Sequence, residues 1–135
     1  MIRYLLDTNV VSDVLKRQPQ VVARFRALPP SALAVSTVTV MEIEYGFERK
    51  PAAREKLGEV WTALLGDLHV LPYDSRDAAH TARVRAHLAQ LGQPIGPYDL
   101  QLAGMALARR LILVTHNTVE FGRVAALPVE DWWLS

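Results

Sequence analysis

The chain has 135 residues, 50% of them apolar and 21% charged, a composition that excludes a disordered segment and gives enough chain for one folded core. It carries no cysteine, which excludes disulfides and thiolate metal sites and suits a reducing cytosol. The net charge of +1 says little by itself; a nucleic-acid binder often carries a larger excess, so any basic surface here must be local.

The apolar stretch before Asp7 is too short for a secretory signal, and no window nears the roughly 18 apolar residues of a membrane helix. A cytoplasmic location without membrane contact is therefore expected. Short apolar runs alternate with longer helical stretches, the pattern of an α/β fold with a central parallel sheet flanked by helices. Ile2 to Leu6 reads as the first strand, and Thr8 or Asn9 as the cap of a helix running toward Lys16. Pro19 opens a second short helix that ends near Leu28, before Pro29 and Pro30. Ala32 to Ser36 is the second strand, and Ser36 or Thr37 caps a helix to about Phe47, beyond which Gly46 and Pro51 weaken continuation. A helix over residues 52–66 carries Leu57, Trp61, Leu64 and Leu65 on one stripe.

His69 to Leu71 is the third strand, ended by Pro72. The next helix is capped near Asp74 or Ser75, and Ala78, Ala79, Ala82, Ala86 and Ala89 give it an expected close-packing face. Residues 92–97 form the clearest loop, and Pro97 suits the first position of a helix reaching Arg110, with Leu100, Leu102, Met105 and Leu107 as core. Leu111 to Thr115 is the fourth strand, the most continuously apolar and so expected at the sheet centre. Leu127 to Trp133 adds a short edge strand, for a sheet of four to five strands. With no repeat or linker, residues 1–135 are expected to form a single domain.

Open parallel sheets bind ligands beyond the carboxyl ends of their strands, and acidic residues fall near that edge. Asp7 directly follows the first strand, Glu42 lies about a turn and a half into the helix after the second, and Glu120 follows the fourth. Asp99 joins them from the first turn of the helix opened by Pro97, where the helix dipole favours an ionised carboxylate. Carboxylates converging in one cleft repel each other unless a cation sits among them, and a hard-oxygen set without cysteine favours Mg²⁺ or Mn²⁺ over zinc. Singly, each acid has a plainer role: Asp7 as a helix cap, Asp99 as a first-turn acid. Spacing alone does not choose between Glu42 and Glu44.

The segments LLDTNVVSDVL, STVTVMEIEYGF, PIGPYDLQLAGMALARRLILVTHNTVEF and VEDWW run in order from the first strand to the tail. Together they closely resemble the PIN-domain family, specifically the VapC-type ribonuclease toxins of bacterial toxin–antitoxin pairs. The resemblance implies Asp7 and Asp99 as direct metal ligands, with Asp7 bridging two ions. It selects Glu42 over Glu44, ligating through water or orienting the attacking water. Glu120, where aspartate is common in the family, and Asn117 complete the pocket, and Thr8 and Thr115 position the metal-bound water or the phosphate. The implied reaction is Mg²⁺-dependent RNA hydrolysis, with Mn²⁺ able to substitute, leaving a 5′-phosphate and needing no His as general base. The implied partners are RNA, a VapB-type antitoxin and a second copy of the chain, with operator DNA reached only through the antitoxin.

Other features have plainer readings. His69, His80, His87 and His116 are too dispersed for zinc, although His116 lies within the fourth motif and could touch RNA. Arg49, Lys50, Arg54 and Lys56, with Arg83 and Arg85, could form a phosphate rim, but Glu48, Glu55 and Glu59 interleave with the first group as on a solvated helix. Trp132 and Trp133 suggest base stacking or, more simply, packing over a sheet edge. A phosphoacceptor signalling domain is excluded because no lysine follows Lys56. A non-catalytic PIN-type binding module and a DNA-processing nuclease remain the alternatives.

Overall fold

The computed structural model describes residues 1–134. Strands β1 (Tyr4–Leu6), β2 (Leu33–Ser36), β3 (His69–Leu71), β4 (Ile112–Val114) and β5 (Val129–Glu130) form one sheet in the order β3-β2-β1-β4-β5. Every pairing is parallel, so all carboxyl ends share one edge. The middle strand is β1, not β4; β4 is interior but lies between β1 and β5. The apolar run at Leu111 to Thr115 reports burial on both faces, which an off-centre interior strand shares with a central one.

Alternation along the strands builds two cores, one on each face. Tyr4, Leu6, Leu33, Val35 and Val114 face one side with Trp61, Leu64 and Trp132, whereas Leu5, Ala34 and Leu113 face the other with Val84, Leu88, Leu102 and Met105. The first side is covered by α1 (Thr8–Leu15), α2 (Pro19–Arg26) and α4 (Pro51–Asp67), the second by α5 (Ser75–Gln90) and α6 (Pro97–Arg109). Helix α3 (Thr37–Arg49) contributes to both, through Ile43 and Phe47 on the first side and Val38 on the second. The stripe expected on α4 is present: Trp61 and Leu64 are buried and Leu57 and Leu65 half-buried.

Three local expectations are corrected. The cap of α1 is Asp7, whose Oδ1 accepts from the Val10 amide at 2.9 Å, rather than Thr8 or Asn9. The alanine row of α5 points outward: Ala78, Ala79, Ala82, Ala86 and Ala89 are all exposed, and α5 packs instead through Asp77, Val84 and Leu88. The reason is Asp77, which is fully buried and receives Arg109 Nη2 at 3.0 Å and Nε at 3.1 Å. A buried carboxylate so bonded turns the helix, because leaving it unpaired in the core would cost several kcal/mol. Third, a short helix, α7 (Thr118–Phe121), follows β4 where none is expected. Arg110 ends α6 in a left-handed conformation, φ 57°.

Candidate functional site

The chain winds one way from β1 through β2 to β3 and the other way through β4 to β5, so the switch point lies between β1 and β4, where a crevice opens beyond the strand ends. Asp7 leaves β1 into this crevice. Its backbone N–H donates to the Val114 carbonyl at 3.0 Å, fixing it beside the end of β4. The side chain is 3% exposed. Burial pushes its pKa up to about 6, with the neighbouring Asp99 and Asp13 charges adding to the rise, while the Thr115 hydroxyl and the Val10 amide pull the other way.

Asp99 enters from the first turn of α6, behind Gly96 and Pro97. It is half-buried, and desolvation, followed by the charges of Glu120 and Glu42 and a hydrogen bond with Glu120, pushes its pKa up to about 6. The helix dipole would favour ionisation, but here burial and like charge outweigh it. The pKa thus moves opposite to the direction the helix start favours, although a carboxyl titrating at about 6 remains mostly ionised at neutral pH.

Glu42 reaches the cleft from α3 and is held there by the Thr8 hydroxyl, which donates to its Oε1 at 2.6 Å. Thr8 also shares a hydrogen bond of 3.2 Å with the hydroxyl of Thr39, which is fully buried. Glu44 points elsewhere. Its carboxylate accepts from Trp61 Nε1 at 2.7 Å and Arg54 Nη2 at 2.9 Å, and these partners hold it below its usual pKa. Spacing leaves the two glutamates equivalent, whereas the helix phase separates them.

Glu120 and Asn117 act as a pair. Asn117 caps α7 and its Nδ2 donates to Glu120 Oε2 at 2.9 Å, while the Glu120 amide donates back to Asn117 Oδ1 at 3.4 Å. The Asn117 amide N–H in turn donates to the Thr115 hydroxyl oxygen at 3.0 Å. Asn117 thus holds the Glu120 side chain in place at the start of α7. His116 stands just outside, and Trp132 is fully buried against Tyr4, ring centroids 6.1 Å apart, as packing over the sheet predicts.

The cleft therefore gathers Asp7, Glu42, Asp99 and Glu120 with the hydroxyls of Thr8 and Thr115. Among the described residues, no Lys, Arg or His pairs with any of these four acids. Nor do three of the acids converge tightly enough among the described residues to form a finished cation cage. An all-oxygen, net-negative donor set whose two innermost members have pKa values raised by burial fits a small divalent cation, which would offset the desolvation behind both shifts. His69, His80 and His87 lie on helix surfaces or the sheet edge, away from the cleft. Asp131, the aspartate of the VEDWW segment, follows β5 on the same edge.

The PIN domain family model matches residues 4–127. The chain is 39% identical over 132 residues to the tRNA(fMet)-specific endonuclease VapC of Salmonella typhimurium, covering 98% of this chain and 99% of that protein. It is 37% identical over 133 residues to ribonuclease VapC2 of Haemophilus influenzae, covering 98% and 99%. The fold superimposes on the DNA-bound VapBC structure from Salmonella typhimurium with a TM-score of 0.89 at 39% identity, covering 98% of this chain and 99% of that one. No helix among the described residues is long and apolar enough to cross a membrane.

Proposed function

The chain belongs to the PIN-domain family, in its VapC group, and on that premise we propose that it is a metal-dependent endoribonuclease acting as the toxin of a toxin–antitoxin pair. The observation that carries the reading is the gathering of Asp7, Glu42, Asp99 and Glu120 at the sheet's switch point without a cationic side chain among the described residues to neutralise them. Asp7 and Asp99 would hold the ion directly, and Mg²⁺, with Mn²⁺ as substitute, is what an all-oxygen carboxylate set favours. When bound, the ion supplies charge neutralisation at the phosphate and lowers the pKa of a water molecule.

The chain's own residues do the rest. The Val10 amide and the Thr115 hydroxyl hold Asp7 in one orientation. Glu42 is fixed through Oε1 by Thr8, which leaves Oε2 to orient the attacking water and accept its proton. Glu120, aimed by Asn117, faces Asp99 closely enough to raise its pKa and lines the rim of the cleft. Attack at phosphorus breaks the P–O3′ bond and leaves a 5′-phosphate.

A VapB-type antitoxin is the protein partner this reading entails, with a basic or aromatic segment entering the acidic cleft and with any operator contact made by the antitoxin. The exposed alanine row of α5 is the surface on which a second copy would close. The deciding experiment incubates the purified chain with total RNA and with single-stranded DNA, with Mg²⁺ or with chelator, beside the Asp99→Asn chain. Metal-dependent cleavage of RNA that Asp99→Asn abolishes is expected. Cleavage that ignores both chelator and substitution would reject the site, and cleavage of DNA alone would transfer the activity to the other sugar.

A further inference from the structure

A second constellation lies on the same sheet edge, on the far side of Asn117 from the acids. Strands β4 and β5 end side by side, with Val114 paired to Glu130, so His116 and Asp131 emerge as neighbours. His116 Nδ1 lies 3.1 Å from Asp131 Oδ2, and facing a carboxylate it carries the proton and donates. Asp131 Oδ1 accepts from the Trp133 backbone N–H at 2.9 Å. The Trp133 ring packs on His116 with centroids 5.1 Å apart and planes inclined at 38°, and its Nε1–H donates to Asp13 Oδ2 at 2.8 Å. Both carboxylates here, Asp13 and Asp131, are thus engaged in holding rings.

The result is a braced but open imidazole. The His116 side chain is 58% exposed although the Asp131 carboxylate beneath it is 8% exposed. The two rings line a groove of about 470 Å³ together with Asn9, Ser12 and Asp13 of α1, its C-cap Lys16, and Asn117; the Asp13 carboxylate there is bonded to the Trp133 indole. Positions 9, 12 and 16 share one face because they are three and four residues apart, and they span roughly 10 Å along the axis. Asn9 and Asn117 adjoin Thr8 and Thr115 of the acidic cleft, so the groove continues it. A polar, aromatic-walled groove running from a nuclease centre toward an exposed lysine has the chemistry of a single-stranded nucleic-acid track: a ring for base stacking, amide and hydroxyl groups for base edges, and a cation for phosphate.

We propose that this groove binds the ribonucleotide next to the bond cleaved at the acids, its base stacked on the outer face of His116 with Trp133 behind, and its outer phosphate met by Lys16. The proposal rests on the ribonuclease reading above and assigns His116 to substrate contact, with Trp133 and Asp131 as positioning residues.

The test uses a single-stranded hexaribonucleotide of mixed sequence. Its binding is followed by tryptophan fluorescence in the Asp7→Asn chain, and its cleavage is measured in the wild-type chain with Mg²⁺. Trp61 and Trp132 are 2% and 0% exposed, so the RNA should quench Trp133, and Trp133→Phe should remove the quench. His116→Ala should weaken binding about tenfold and raise KM in proportion, with kcat within about twofold of wild type. His116→Phe, which keeps a stacking face without the Nδ1 bond, should restore most of the affinity. Both variants lose the bond to Asp131, whose Oδ1 keeps the Trp133 amide, so thermal melts of each fix an assay temperature at which the chain is folded. Unchanged RNA affinity and KM in His116→Ala, in a chain that still cleaves, overturns the groove and leaves the ribonuclease reading standing. The same holds if His116→Ala loses affinity only for a partner protein. A wild-type chain that shows the quench and the His116 effect on binding but never cleaves supports RNA binding in the groove and rejects the cleavage reading instead.

Discussion

The Thr8 hydroxyl donates to Glu42 Oε1 at 2.6 Å, joining the first turn of α1 to α3 across 34 residues of sequence at the mouth of the acidic cleft. A glutamate has three side-chain torsions, and one strong hydrogen bond to a fixed hydroxyl removes most of that freedom. Thr8→Val keeps the shape and removes the donor. We expect kcat to fall by about tenfold to a hundredfold, the scale set by misplacing a catalytic group, with KM near wild type. Thr8→Ser should recover most of the rate. A Thr8→Val chain with full kcat would show that Glu42 needs no such tether.

The two glutamates of α3 should separate cleanly in activity. Glu42→Gln is expected to lower cleavage by about 10²–10³, the range seen when one preorganised polar group is lost. Glu44→Gln removes only a partly exposed contact to Arg54 and Trp61 and should leave cleavage unchanged, with stability lower by about 1 kcal/mol or less. Parallel initial-rate measurements on the two variants check this, and equal losses would undo the distinction.

The buried carboxylate of Asp7 makes the metal-free chain sensitive to pH. Its pKa rises from 3.8 to about 6 on folding because burial disfavours the charge. Between about pH 4 and 6 the folded chain therefore holds a proton that the unfolded chain has lost, so stability falls as pH rises through that window, by on the order of 3 kcal/mol in all. Below about pH 4 both states are protonated and the penalty is absent; above about pH 6 it is complete. Asp99 shifts in the same direction and adds a smaller share because it is more exposed. Asp7→Asn keeps the cap on Val10 and removes the charge. In chelator it should be more stable than wild type at pH 7.5, with the gap closing toward pH 4, while cleavage is lost. Thermal melts across that range measure the gap, and a variant less stable than wild type at pH 7.5 would contradict the assignment.

Gly104 couples the fold to the site. A Cβ there would lie 2.7 Å from both the Cα and the N of Thr81 and would also collide with its hydroxyl, so α6 must move away from α5. Gly104→Ala should cost about 1–3 kcal/mol by overpacking, read as a lower denaturant midpoint. Cleavage at a temperature where the variant is still folded should also fall, because α6 carries Asp99. A variant as stable and as active as wild type would mean that the helices part without effect.

Much of this architecture was legible in the order of residues. Proline at the helix starts, the strand runs and the caps at Ser36 and Asp74 are local signals, since each depends on backbone groups within a few residues. Periodicity misled on α5, where the alanine row appeared to be the packing face; one buried ion pair, Asp77 with Arg109, turned the helix the other way. Arg109 lies 32 residues from Asp77, and no window of sequence contains both.

For the site, the sequence by itself determined which residue types were present and, through the family resemblance, which acids to favour: Asp7, Glu42, Asp99 and Glu120. Only the tertiary structure decided their company. It set Glu42 against Thr8 and Glu44 against Trp61, made Asn117 the holder of Glu120, and drew His116, Asp131 and Trp133 into a groove beside them. The physical reason is that hydrogen bonding and desolvation depend on distances between strand ends. Those distances follow from the parallel order β2-β1-β4-β5, which brings Asp7, Thr115 and Asp131 to one edge from opposite ends of the chain.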